Sequence, residues 1–122
     1  MGEEKPKSIA GYVEMKSGHN FIGDVWTKVY FTIDEKNKNL LILKSADPSQ
    51  APQEIISLPS VKSIQYYNNK GTDHKRFNIL LGDEDKDGKS EKAHKFRVNS
   101  EMDGKKWVEG LNDWKDWFLL NW

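Results

Sequence analysis

At 122 residues the chain has room for one domain with its own core, and with 36% apolar and 31% charged residues it reads as a soluble globular protein. Nineteen basic residues balance nineteen acidic ones, so no net field steers the molecule toward nucleic acid or an acidic membrane; any such attraction must come from a local patch. The absence of cysteine excludes disulfide staples, thiolate catalysis and cysteine-ligated zinc, no apolar run approaches the roughly 18 residues of a spanning helix, and the charged start lacks the apolar stretch of a secretory signal.

Met1 to Lys7 reads as a flexible tail, and residues 8–122 as a single domain. Gly2 is placed for acylation, but Pro6 stands where a small hydroxyl residue is preferred. Gly11 to Met15 alternates weakly and is a first strand. Lys16 to Asp24 reads as a loop, bounded by Gly18 and Gly23, with Phe21 and Ile22 near its tip. Val25 to Ile33 is dense in β-branched and aromatic residues and is the second strand. After a turn at Asp34 to Asn39, Leu40 to Leu43 is the third.

Two prolines make Ser45 to Pro52 a connection. Glu54 to Leu58 is a fourth strand, Val61 to Tyr67 a fifth and Arg76 to Leu81 a sixth. Gly82 to Lys92 is a hydrophilic loop. Ala93 to Val98 then sets His94, Phe96 and Val98 against Lys95 and Arg97, the alternation of a half-buried seventh strand.

The pattern changes at Ser100. Trp107, Leu111, Trp114 and Phe118 recur at spacings of four, three and four, one apolar face of an otherwise polar helix. Ser100 is a good cap, and Asp103 three residues later completes a capping box. Gly104 and Gly110 each weaken such a helix by roughly 1 kcal/mol relative to Ala, so packing of the aromatic face must hold it. The fold class is all-β with one helix. Trp117 and Trp122 fall off the stripe and pack on sheet flanks or mark a partner surface.

Seven short strands followed by one amphipathic helix resemble the pleckstrin homology (PH) family. The residues that carry the resemblance are Gly11-Tyr12-Val13, Trp26 to Phe31, His94 to Val98, and Trp107-Val108 with Leu111. The resemblance implies a seven-stranded barrel or sandwich whose C-terminal helix plugs one open end through Trp107. It also implies a binding module, since many members take phosphoinositide head groups and others bind proteins. A fold alone does not assign a ligand.

In phosphoinositide-binding members a basic residue late in the first strand works with two on the second, four and two positions before its Phe. Lys16 matches the first of these positions. Thr27 and Val29 match the other two, and neither is basic; Lys28 has the opposite parity and faces the other way. This departure speaks against stereospecific capture of polyphosphorylated inositides. A simpler acidic lipid such as phosphatidic acid asks less, and the candidate lipid-binding residues are Lys16, Lys28, His19, Phe21 and Ile22, apolar residues rimmed by cations. Lys70, His74, Lys75 and Arg76 are candidate secondary anion contacts. The lone-PH architecture and Lys/Asn-rich composition also loosely resemble the acylated PH-domain proteins of apicomplexan parasites. The expected partner is an anionic phospholipid membrane, with a protein-interaction module of PH-like fold as the alternative. The expected setting is cytoplasmic and peripheral at membranes, and the expected state a monomer.

Other chemistries fare poorly. Asp83 to Gly88 matches the front half of an EF-hand loop, but His94 stands at the twelfth position, where a bidentate Glu is needed. His19, His74 and His94 are scattered without metal-ligand spacing, and His94 shares a strand face with Phe96 and Val98. No Gly-x-Ser-x-Gly or phosphate-cradling loop occurs. Neither catalysis, a metal, a cofactor nor nucleic-acid binding is expected.

Overall fold

The computed structural model describes residues 4–21, 23–47, 49–68, 75–81 and 92–121. Seven strands, β1 (Ala10–Asn20), β2 (Gly23–Asp34), β3 (Asn39–Leu43), β4 (Glu54–Ser57), β5 (Val61–Asn68), β6 (Lys75–Leu81) and β7 (Lys92–Val98), precede one helix, α1 (Glu101–Leu120). The strands form one antiparallel sheet in the order β4-β3-β2-β1-β7-β6-β5. The sheet curls: Glu54 of β4 reaches His94 of β7 at 3.3 Å, although three strands separate them in that order.

The inner face follows from alternation. Val29 and Phe31 of β2, Phe77 and Ile79 of β6 and Phe96 of β7 are fully buried. Phe31 packs edge-on against Phe96 at 4.9 Å and against Trp107 at 5.3 Å, while Phe77 stacks on Phe96 at 5.1 Å. Leu111, Trp114 and Phe118 close this core from α1. Trp107 is half-buried, beside Gly11, and Trp114 is the more deeply enclosed of the two. Ser100 caps α1 by accepting from the Asp103 N–H at 3.1 Å, and Lys105 bonds Glu101 one turn back, which raises the Lys105 pKa.

Gly104 has a packing reason. A methyl group there would stand 2.5 Å from the Tyr66 ring. We expect Gly104→Ala to lower stability by about 1 kcal/mol, because overpacking outweighs the gain in helix propensity. Chemical denaturation checks this, and a stabilised variant would contradict the packing account.

Three boundaries differ from expectation. Lys16 to Asn20 and Gly23-Asp24 are not loop: β1 and β2 pair continuously from Ala10↔Thr32 to Asn20↔Gly23, so only Phe21 and Ile22 lie between them. Cross-strand hydrogen bonds override the weak strand preference of Gly, Asn and Asp there, and Gly23 takes φ 135° at the turn. Leu58 leaves β4 to open a 3-10 turn, Leu58–Ser60, because Pro59 has no N–H for the ladder. Residues 4–9, mostly read as tail, lie against the helix: Trp114 Nε1 donates to the Lys7 carbonyl at 3.0 Å, and Ile9 packs by Gly110. The Asp83 to Gly88 calcium-like segment lies outside the described residues.

Candidate functional site

The β1–β2 hairpin brings the candidate lipid contacts together, and register sorts them by face. Glu14 is opposite Lys28 and Lys16 opposite Trp26. Alternation therefore puts Lys16 on the outer face with Lys28 and Trp26, away from the core-facing Val13, Val29 and Phe31. The resemblance implied a barrel-mouth position for Lys16, so this is a different placement. The reason is a bulge between Lys16 and Gly18, where Ser17 is the extra residue. Ser17 takes the inward position instead. Its hydroxyl donates to the Val25 carbonyl at 3.3 Å and shares a 2.8 Å hydrogen bond with Thr27.

The barrel end from which the hairpin projects has no lysine or arginine pointing inward among the described residues just named. It carries Thr27 and Ser17, and the Glu54–His94 pair. A carboxylate at that position repels phosphate.

The outer face is basic and aromatic. Lys28 Nζ lies 4.7 Å from the centre of the Tyr12 ring, which meets Tyr30 edge-on at 4.9 Å. The Arg97 guanidinium stands 4.7 Å from the Trp26 ring and that of Arg76 5.1 Å from it. Lys95 is exposed on β7, opposite Asn78. Glu14 holds Arg97 through a two-pronged contact, Nε to Oε1 at 3.2 Å and Nη2 to Oε2 at 3.1 Å. A cleft of about 540 Å³ opens beside this pair, where β1 and β7 part; Tyr12, Lys28, Asn99, Asp103 and Trp107 also line it.

Phe21 is 99% exposed at the hairpin turn. His19 is placed by its backbone, opposite Asp24. Ile22, Lys70 and His74 lie outside the described residues, while Lys75 begins β6 opposite Asn68 and Val98. Arg76 joins the outer face. Sequence reasoning missed Arg97 and Trp26 as site residues. Alternation already turned both outward, but only the β1–β7 register sets Arg97 beside Glu14.

At the far end of α1, Leu119 and Leu120 are exposed and Trp117 is partly buried; Trp122 lies outside the described residues. The Asp47 carboxyl is held below its ordinary pKa by the Ser49 backbone N–H and hydroxyl, in the β3–β4 connection. No helix among the described residues is long and apolar enough to cross a membrane, and no group of metal-ligating side chains occurs among them.

These features meet a known family. The PH domain family model matches residues 7–115. Among solved structures, the chain is similar to the PH domain of human TBC1 domain family member 2 protein, at 18% identity and TM-score 0.66, covering 100% of this chain and 91% of that one. It is also similar to the PH domain of human oxysterol binding protein-related protein 11, at 16% identity and TM-score 0.67, covering 93% and 86%. A third likeness is to the Slm1 PH domain in complex with inositol-4-phosphate, at 18% identity and TM-score 0.63, covering 89% and 95%. Identities this low speak for the fold. The comparison with curated proteins gives no match. Together with seven strands, the curled sheet and the closing helix, the family match shows that the chain belongs to the PH domain family, whose members are generally non-catalytic binding modules.

Proposed function

We propose that this PH domain is a peripheral membrane-binding module that reads anionic lipid through the outer face and tip of its β1–β2 hairpin. The observation that carries the reading is Phe21, an aromatic ring left 99% exposed at the end of a projecting hairpin whose sides carry Lys16 and Lys28. Burying such a ring in water-free surroundings is worth about 1.5–3 kcal/mol, and each lysine near an anionic surface adds about 1 kcal/mol. The acidic Glu54 at the barrel end argues against a polyphosphorylated head group inside. Phosphatidic acid, with one compact phosphate, suits a shallow outer site better. The Slm1 PH domain, solved with inositol-4-phosphate, lends support as a member of the family that takes a phosphate-bearing ligand.

Co-sedimentation with vesicles tests this. Phe21→Ser should weaken binding to phosphatidic acid vesicles about tenfold or more, from the lost apolar burial. Binding as tight as that of the unaltered chain would contradict insertion of the tip. A protein-interaction role draws on a different surface, the exposed Leu119 and Leu120 at the end of α1. On that reading Leu120→Ser impairs function while Phe21→Ser does not.

A further inference from the structure

Register sets one outward side chain from each of four neighbouring strands in a single row. Lys28 of β2 is opposite Glu14 of β1, Glu14 opposite Arg97 of β7, and Arg97 opposite Arg76 of β6. At about 4.8 Å per strand the row spans about 14 Å. Its charges run cation, anion, cation, cation.

The two arginines stand directly across from each other, an arrangement that destabilises a sheet unless something neutralises it. Glu14 accounts for Arg97. It leaves Arg76 with the Trp26 ring alone among the described residues, and a ring face does not cancel a charge. Arg76 Nε is buried and has no hydrogen-bond acceptor among the described residues. Asn78 Oδ1, two residues along the same outward side of β6, is buried without a donor, so the two do not satisfy each other. A buried guanidinium N–H without an acceptor is costly. The arrangement is complete only with an anion from outside.

We infer that this row is a phosphomonoester site, with Arg76 as its primary contact and Arg97 drawn in from Glu14. The inference rests on the outer-face reading above and names the chemistry that face prefers. A phosphomonoester carries nearly two negative charges at neutral pH, which matches two adjacent guanidiniums; a phosphodiester carries one. Planar guanidinium forks suit phosphate oxygens. Trp26 holds both guanidiniums in place beforehand, 4.7 and 5.1 Å from its ring centre. Glu14 is an internal competitor: its carboxylate occupies the Arg97 fork until a stronger anion takes over. Removing Glu14 and removing Arg76 therefore act in opposite directions.

The full chain is titrated with soluble glycerol 3-phosphate and, separately, with vesicles containing phosphatidic acid or phosphatidylserine. The expected result is preference for phosphatidic acid over phosphatidylserine, weakening by about tenfold or more in Arg76→Gln, and strengthening in Glu14→Gln. Arg76→Lys, which keeps the charge and loses the fork, should fall between, and guards against a misfolded glutamine variant. Glycerol 3-phosphate bound as tightly as vesicles, with the same response to both substitutions, supports the site with a soluble phosphate as its ligand and removes the membrane reading. Equal binding to both lipids, lost in Phe21→Ser but unmoved by Arg76→Gln and Arg76→Lys, overturns this site and leaves the membrane reading standing. Glu14→Gln weakening phosphate binding as Arg76→Gln does would also overturn it.

Discussion

Exchanging Lys16 and Lys28 together for Glu should abolish binding to anionic vesicles and leave the fold intact. Each lysine contributes about 1 kcal/mol of attraction to an anionic leaflet, and reversal replaces that attraction with a comparable repulsion. The pair of exchanges is then worth about 4 kcal/mol, or roughly a thousandfold in affinity. Folding should tolerate it. Lys28 is exposed, and what it gives up is its contact with the Tyr12 ring, about 0.5–1 kcal/mol at such a site. Vesicle co-sedimentation at about 0.15 M salt, with a melting curve as the fold control, measures both halves. Native-like binding by the folded double variant would remove the hairpin from the account.

The largest expected loss of stability is at Trp114. Its side chain is 1% exposed, it packs against Phe118 at 5.4 Å, and its Nε1 fixes the segment before β1 by donating to Lys7. Replacing a buried Trp by Ala costs about 3–5 kcal/mol, a large part of the 5–15 kcal/mol that holds a typical domain together. Trp117→Ala, at a partly buried position, should cost clearly less. Denaturant titration of the two variants decides. Equal losses, or a Trp114→Ala loss below about 1 kcal/mol, would mean that α1 is not held by the face assigned to it.

The helix face and the strand order were legible because burial imposes a period. Leu111, Trp114 and Phe118 repeat along α1, and Phe96 and Val98 alternate along β7; each of these is buried. The extent of the hairpin was not. Gly18, His19 and Asn20 have little preference for strand, and pairing with Val25, Asp24 and Gly23 across the ladder extends β1 through them. The same limit explains the placement of Lys16. A strand read without its bulge puts Lys16 one face away from where the bulge at Ser17 leaves it.

The candidate site was half legible. Lys28 and Phe21 declared themselves by parity and by position between glycines. Arg97 did not, since an outward arginine on a half-buried strand is ordinary. Its meaning lies in two rungs, Glu14↔Arg97 and Met15↔Phe96, that join β1 to a strand more than eighty residues later. No local pattern encodes that register. Glu54 and His94 meet for the same reason, through the curl of the whole sheet.

The central claim is that anions engage the outer sheet face and not the barrel end beneath the hairpin. The most direct test is a two-dimensional NMR titration of the chain with glycerol 3-phosphate and with short-chain phosphatidic acid. The account predicts shifts at the Trp26 indole N–H, the Arg76 and Arg97 Nε–H groups and the Lys28 amide, with Thr27, Glu54 and His94 little changed. Shifts concentrated at Ser17, Thr27, Glu54 and His94, with the Trp26 indole unmoved, would contradict it.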